Sequence, residues 1–215
     1  MTLRVTTLTV GPLESNCHLC WNADTGKGVV VDPGADAAAI LRSIEQNGFT
    51  VEAIWLTHAH GDHIGAAAAV KRATNAPVTI HPAEEAWLSD DNLNLAALLD
   101  MSIEPVEADH HWENDQQFDA LGTTWKVMHV PGHSPGGVAI YSEDEGLAFS
   151  GDLLFRGSMG RVYLPNGNPI AMATSLVKFF RLPDDLRLFV GHGPDTTLAV
   201  EKSANMVVED FLART

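Results

Sequence analysis

Apolar and polar residues alternate over 2–10, with Leu3, Val5, Thr7 and Thr9 on one face and Arg4, Thr6, Leu8 and Val10 on the other. A period of two predicts a strand. Two further strands are predicted at 17–22 and 28–31, and the second is an apolar run that stops at Asp32-Pro33-Gly34. Over 36–48 the period changes. Ile40, Leu41 and Ile44 share a helical face, with an Asp at the start and a Gly at the end. Residues 53–57 form a short buried-type strand that leads into His58-Ala59-His60-Gly61-Asp62-His63. An Ala-rich helix over 64–73 and a strand over 77–81 follow.

The stretch 89–106 has the weakest period and is expected to be a loop with a short helix, placed where a lid would sit. Strands return at 125–130, 138–141 and 147–150. A loop rich in Gly and Pro (156–169), a helix (172–180), a strand (186–190) and a terminal helix (197–213) complete the chain. Strands dominate each half and helices interrupt them. That pattern predicts an α/β architecture of two β-sheets with helices outside, in a single domain over 1–215.

Composition narrows the function. Of 215 residues, 45% are hydrophobic, enough for a sizeable core, and the net charge is −15. With no cluster of basic residues, that charge opposes nucleic acid and anionic membranes as partners and leaves a small-molecule substrate. No run nears the ~18 apolar residues of a membrane span, and the start lacks a basic-then-apolar leader. The expected compartment is therefore the cytoplasm. Cys17 and Cys20 cannot build a disulfide framework. Three residues apart on a strand they point to opposite faces, so they read as buried small hydrophobes rather than a chelating pair.

The chemistry gathers in one hexapeptide. His58, His60, Asp62 and His63 lie between a strand and a helix, and imidazole and carboxylate suit zinc, iron or manganese. Within a turn, His58 and His60 can face one ion while Asp62 and His63 face a neighbour. Set against this is a solvated cluster in which Asp62 merely caps the following helix. Three more residues favour metal. His133 lies in a turn-rich hinge, Asp152 follows Phe149-Ser150-Gly151, and His192 follows Phe189-Val190-Gly191. Glycine beside each lets the backbone come close to an ion. Five His and two Asp suffice for two ions if one Asp bridges.

The order His58-x-His60-x-Asp62-His63, His133, Asp152, His192 resembles the metallo-β-lactamase superfamily. Asp32-Pro33-Gly34 and Gly191-His192-Gly193-Pro194 extend the likeness over nearly the whole chain. Within the superfamily it is similar to the short glyoxalase II-like proteins of bacteria. The resemblance implies an αββα sandwich of two mixed sheets with helices on the outer faces and the site at one edge. It places His58, His60 and His133 on one metal, and Asp62, His63 and His192 on the second, with Asp152 bridging. Two divalent ions are implied, zinc first, with iron or manganese as alternatives. Asp62 and Asp152 are the candidate catalytic residues.

The implied activity is hydrolysis of a thioester, in the manner of a hydroxyacylglutathione hydrolase, by a metal-bridging hydroxide. Two divalent ions, both aspartates and one hydroxide leave a net charge of about +1 to draw a carbonyl oxygen. A thiolate leaves readily, its parent pKa being about 8.5. A mononuclear iron persulfide dioxygenase and a lactone hydrolase are the alternatives on the same motif. Zinc lactamases typically carry a cysteine where Asp152 stands, which opposes antibiotic hydrolysis. Only 23 residues follow His192, and Val162-Tyr163 replaces the acidic pattern of close short relatives after Gly160-Arg161. Both features predict weak dependence on glutathione. Arg156, Arg161 and Tyr163 are candidate pocket-mouth residues, while His18, His81, His110, His111 and His129 read as structural or surface.

Overall fold

The computed structural model describes residues 3–215, with the side chain of Leu99 outside the description. Thr2, the first residue of the expected N-terminal strand, lies outside the described residues. The fold is mixed α/β with two six-stranded sheets. Internal contacts gather the chain into two compact units, 1–112 and 113–215. Each holds one of the two sheets.

In the first unit, β1 (Leu3–Val10), β2 (Ser15–Asn22) and β3 (Lys27–Val31) pair antiparallel. Next come α1 (Ala37–Asn47), β4 (Thr50–Trp55), α2 (Gly61–Ile64), α3 (Ala67–Thr74), β5 (Val78–Ile80) and β6 (His110–His111). β3 through β6 pair parallel in chain order. Parallel neighbours need a crossover, which α1 supplies between β3 and β4, and α2 with α3 between β4 and β5. Every residue of β2 is buried, because it is an interior strand covered on both faces. Cys17 and Cys20 are therefore both inaccessible, and burial together with the nearby Asp32 charge pushes the Cys17 thiol well above its usual pKa. The core is built from Leu19, Val30, Ile40, Ile54, Leu56 and Ile80.

Three sequence expectations change here. Asp36 does not cap α1 with its side chain; its carboxylate accepts the Gly11 N–H at 2.9 Å instead. The helix expected over 64–73 breaks in two, because the Ala66 N–H leaves the helical pattern to donate to the Pro33 carbonyl at 2.8 Å. The strand expected at 53–57 runs Thr50–Trp55, since Thr57 turns its N–H to the Asp32 carboxylate. The stretch 89–106 does hold a short helix, a 3₁₀ turn at Ala96–Leu99, preceded by another at Pro82–Ser89.

In the second unit the elements are β7 (Gln117–Ala120), β8 (Thr123–His129), β9 (Val138–Ser142), β10 (Leu147–Gly151), a hairpin of β11 (Leu154–Phe155) and β12 (Ser158–Met159), α4 (Pro169–Phe179), β13 (Arg187–Val190), β14 (Thr196–Thr197), α5 (Leu198–Ala204) and α6 (Met206–Arg214). The sheet order is β14-β13-β10-β9-β8-β7, with β10 and β13 parallel across the α4 crossover. A core of Ala139, Ala148, Leu154, Met172, Leu176, Phe179, Leu188 and Val190 fixes it. The hairpin was not foreseen in the Gly- and Pro-rich loop. The single helix expected over 197–213 is two, parted at Asn205, whose side chain caps α6 by accepting the Val208 N–H at 3.1 Å. Among the described residues no helix is long and apolar enough to cross a membrane.

One surface contact is pH-sensitive in a defined direction. The Asp109 carboxylate accepts from Lys71 Nζ and from the Val78 N–H, both at 2.7 Å. Burial acts to raise its pKa, but Lys71 and the Val78 N–H outweigh it and hold the carboxyl below its ordinary value. A depressed folded-state pKa contributes stability above the unfolded value of about 3.9, lost as pH falls through the folded value. Asp109→Asn is expected to cost about 1 kcal/mol in urea denaturation at pH 7, and less below pH 4. A gap that stays constant down to pH 3 would contradict this account.

Candidate metal centre

The candidate ligands divide by unit: His58, His60, Asp62 and His63 in the first, His133, Asp152 and His192 in the second. Each follows the end of a strand, where a short loop leaves a rigid sheet. Asp62 is not the cap of α2; it lies in that helix's first turn, and His60 is at the cap position.

In the first unit Asp32 organises the turn. Its backbone, just past β3, donates to the Trp55 carbonyl at 3.0 Å. One carboxylate oxygen accepts the Thr57 N–H at 2.7 Å; the other accepts the Thr57 hydroxyl at 2.6 Å and His63 Nδ1 at 3.1 Å. An ionised carboxylate only accepts, so His63 must hold its proton on Nδ1 and present Nε2 as the ligating nitrogen. Because the Thr57 hydroxyl gives its proton to Asp32, its oxygen accepts from His58 Nδ1 at 3.1 Å, which fixes the same tautomer there. Asp32, His58 and His63 bring donor atoms within 4.8 Å of one another, and His63 Nε2 lies 3.6 Å from Asp62 Oδ2.

Support comes from the 3₁₀ turn at Pro82–Ser89 and the start of the stretch that follows it. Glu84, fully buried, accepts the Ala59 N–H at 2.6 Å and so pins the peptide between His58 and His60. Asn94 accepts the Gly61 N–H through its carbonyl at 2.7 Å, and Trp87 stacks on the His60 ring at 5.6 Å. Gly34 is required for close approach: a Cβ there would lie 1.7 Å from the Asp62 carbonyl oxygen.

In the second unit His133 Nδ1 donates to the Arg161 carbonyl at 2.8 Å, again directing Nε2 to the ligand role. Asp152 Oδ2 lies 3.3 Å from His133 Nε2 and 3.7 Å from His192 Nε2. Donors 2.0–2.2 Å from one tetrahedral ion stand about 3.3–3.6 Å apart, so the 3.3 Å spacing fits a pair that could share an ion and the 3.7 Å spacing comes close to it. Gly160 permits the approach, since a Cβ would meet the Asp152 carbonyl at 1.9 Å. The chemistry of the set fits a divalent transition metal: nitrogen and carboxylate donors, with their outer atoms hydrogen-bonded.

The remaining histidines lie apart from these sets. His18 is held by Thr7, His81 caps the first 3₁₀ turn, and His129 bonds the Pro135 carbonyl. His111 pairs with Glu85, and His110 is exposed. Arg156, Arg161 and Tyr163 are exposed, with Tyr163 at 87%. Sequence reasoning missed Thr57, Glu84 and Asn94 altogether and quoted Asp32 only as part of a turn. The one available signal was Asp32-Pro33-Gly34 closing an apolar strand.

The model of the metallo-beta-lactamase superfamily matches residues 10–192. The chain belongs to the metallo-β-lactamase superfamily. Probable metallo-hydrolase YqgX of Bacillus subtilis is 36% identical over 94% of this chain and 96% of its own length. Hydroxyacylglutathione hydrolase GloC of Haemophilus influenzae is 28% identical over 94% and 97%. Among solved structures, BLEG-1 B3 metallo-beta-lactamase matches with a TM-score of 0.90 at 38% identity, over 94% of this chain and 98% of that one. The di-iron-bound form of TTHA1623 matches with a TM-score of 0.84 at 38% identity, over 93% and 98%. The two mixed sheets with their helices are thus the superfamily's fold, and this membership with the YqgX likeness marks the chain as a metallo-hydrolase.

Proposed function

We propose that the chain is a hydrolase of acyl thioesters that works with two divalent transition-metal ions, zinc or iron. The observation that carries this is the pair of hydrogen bonds behind the ligands: Asp32 to His63 Nδ1 and the Arg161 carbonyl to His133 Nδ1. Ligating imidazoles almost always donate their outer N–H in this way, and here the inner Nε2 atoms also stand 3.6 Å from Asp62 Oδ2 and 3.3 Å from Asp152 Oδ2. On the superfamily pattern His58, His60 and His133 would hold one ion and Asp62, His63 and His192 the other, with Asp152 as the donor both would share. The match over 10–192 takes in all seven residues, which supports the two units acting as one domain.

When bound, the ions supply Lewis acidity toward a carbonyl and activate water near neutral pH. The chain's own residues do the rest. Asp32 and Thr57 hold the His58 and His63 rings in one tautomer, so no proton competes for the ligating nitrogens. Glu84 keeps the His58–His60 peptide from turning. Asp62 and Asp152 offset part of the ions' charge, and the remainder favours an oxyanion. With a thiolate as leaving group, no protein acid is needed to protonate it.

GloC supports the thioester, and its alignment over 97% of its own length means that a protein of this size bears the name hydroxyacylglutathione hydrolase. The expectation of weak glutathione dependence then rests on Val162-Tyr163 alone. BLEG-1, at 38% identity, favours β-lactam hydrolysis as the second reading despite the aspartate at 152. The test pairs elemental analysis with one substrate panel: a 2-hydroxyacyl glutathione thioester, a smaller thioester of the same acid, a lactone, a β-lactam and a persulfide. The expected result is about two ions per chain, with kcat/KM for the thioesters at least tenfold above lactone and lactam. The two thioesters should agree within roughly tenfold, about 1.4 kcal/mol of transition-state binding. A single iron with oxygen uptake on the persulfide would make the chain a dioxygenase, and a preferred β-lactam would make it a lactamase.

A further inference from the structure

Asp152 and His192 leave the ends of β10 and β13, which are parallel neighbours. Their loops meet first through backbone, with the Gly191 N–H donating to the Gly151 carbonyl at 3.0 Å. They meet again at one side chain that the proposed chemistry does not use. Glu201, in α5, is 2% exposed. Its Oε1 accepts the Thr196 hydroxyl at 2.5 Å, four residues past His192. Its Oε2 accepts the Gly157 N–H at 2.9 Å, five residues past Asp152, and Asn205 Nδ2 at 2.8 Å. Asn205 Nδ2 also reaches the carbonyls of Ser158 at 3.0 Å and Phe155 at 3.4 Å.

The hairpin held in this way delivers an aromatic side chain to the site. Arg156-Gly157 is the two-residue turn between β11 and β12, where Phe155 pairs with Ser158. Phe155 sets its ring edge-on to His192, with centroids 5.7 Å apart and planes at 85°. Released from Glu201 and Asn205, the turn would keep only the two-residue strand pair and the packing of Leu154, Phe155 and Met159 at the hairpin's base.

A buried carboxylate costs several kcal/mol unless fully hydrogen-bonded, and an apolar side chain in a helix facing the core would avoid that cost. What the carboxylate adds is direction: one oxygen is committed to each ligand-bearing loop. We infer that Glu201 is a positioning residue for the metal centre, its carboxylate setting the spacing of Asp152 and His192 through Thr196 on one side and the Gly157 turn on the other. The inference rests on the metal ligands proposed above. Glu201 touches no proposed ligand; it acts through the two loops.

The test uses the full-length zinc-loaded chain and three variants: Glu201→Gln, Thr196→Val and, as a control, Ser203→Ala, whose hydroxyl bonds only the Ala199 and Val200 carbonyls of its own helix. Zinc affinities are read by competition with a chromogenic chelator. Trypsin cleavage after Arg156, located by mass spectrometry, reports on the hairpin, and Tm reports on the fold. Glu201→Gln and Thr196→Val are expected to weaken the more loosely held zinc 10- to 100-fold, as loss of an outer partner does. Ser203→Ala should change it less than threefold. Arg156 cleavage should accelerate in Glu201→Gln and not in Thr196→Val, which severs only the His192 arm. Thr196→Val differs little in shape and keeps the question answerable if Glu201→Gln does not fold. Lower Tm with zinc affinities within threefold of wild type would reduce Glu201 to a structural residue and overturn the inference alone. A wild-type chain that takes up no second zinc would overturn the proposed centre, and the inference with it.

Discussion

Replacing Asp152 with alanine is expected to lower kcat/KM for a thioester by about 10³-fold or more and to remove about one metal equivalent. Asp152 Oδ2 stands 3.3 Å from His133 Nε2 and 3.7 Å from His192 Nε2, so one oxygen neighbours a proposed ligand of each ion. Removing it draws a negative charge from between two imidazoles and deletes the donor proposed to be shared. Loss of one oxyanion-hole donor typically costs about 10²–10³, and loss of a metal ion that would polarise the carbonyl costs as much or more. His81→Ala and His110→Ala are the comparison. His81 caps a 3₁₀ turn and His110 lies on an edge strand, so each should stay within about threefold of wild type. Near-normal turnover and metal content in Asp152→Ala would sink the bridging role.

The candidate ligands were legible because they follow apolar strands and sit among glycines, a local pattern that spacing along the chain preserves. The atoms that orient them were not. Asp32 lies 31 residues before His63, Glu84 lies 25 residues after Ala59, and Glu201 lies 44 residues after Gly157. No period links such positions; only the sheet topology does. The elements divide in the same manner. Alternation and apolar runs marked β1 through β5, β8 through β10 and β13, since those signals come from burial on each face; the short β6, β7, β11, β12 and β14 carry too few residues to show them. The breaks were invisible because distant groups make them: Pro33 takes the Ala66 N–H and parts α2 from α3, and Asn205 parts α5 from α6 while it reaches the hairpin carbonyls. The stretch 89–106 looked like a lid for want of a period. Its Asn94 carbonyl accepts the Gly61 N–H, as part of the support of the His58–His63 turn.

Asp32→Asn is expected to weaken zinc binding 10- to 100-fold while leaving the chain folded, although Asp32 is assigned to no metal. The carboxylate serves three donors: the Thr57 N–H, the Thr57 hydroxyl and His63 Nδ1–H. An amide offers only one accepting oxygen, in one of two orientations. With its NH₂ toward the Thr57 N–H, two donors face each other in a buried site, at a cost of about 1–3 kcal/mol. With its NH₂ on the other side, it faces His63 Nδ1, which can accept only if the ring proton moves to Nε2. That is the nitrogen the metal needs. The same flip takes away the oxygen that accepts the Thr57 hydroxyl proton, which can then turn to His58 Nδ1 and compete with the ring proton there. One substitution thus disturbs the tautomers of two proposed ligands. The measurement combines chelator competition for zinc with ¹⁵N chemical shifts of the metal-free histidine rings. Proton transfer to Nε2 on His63, with weakened zinc, is the expected result. If Tm falls while both zinc affinities and the ring shifts match wild type, Asp32 supports the fold without orienting the ligands, and the argument from hydrogen-bonded imidazoles to a metal centre loses its strongest part.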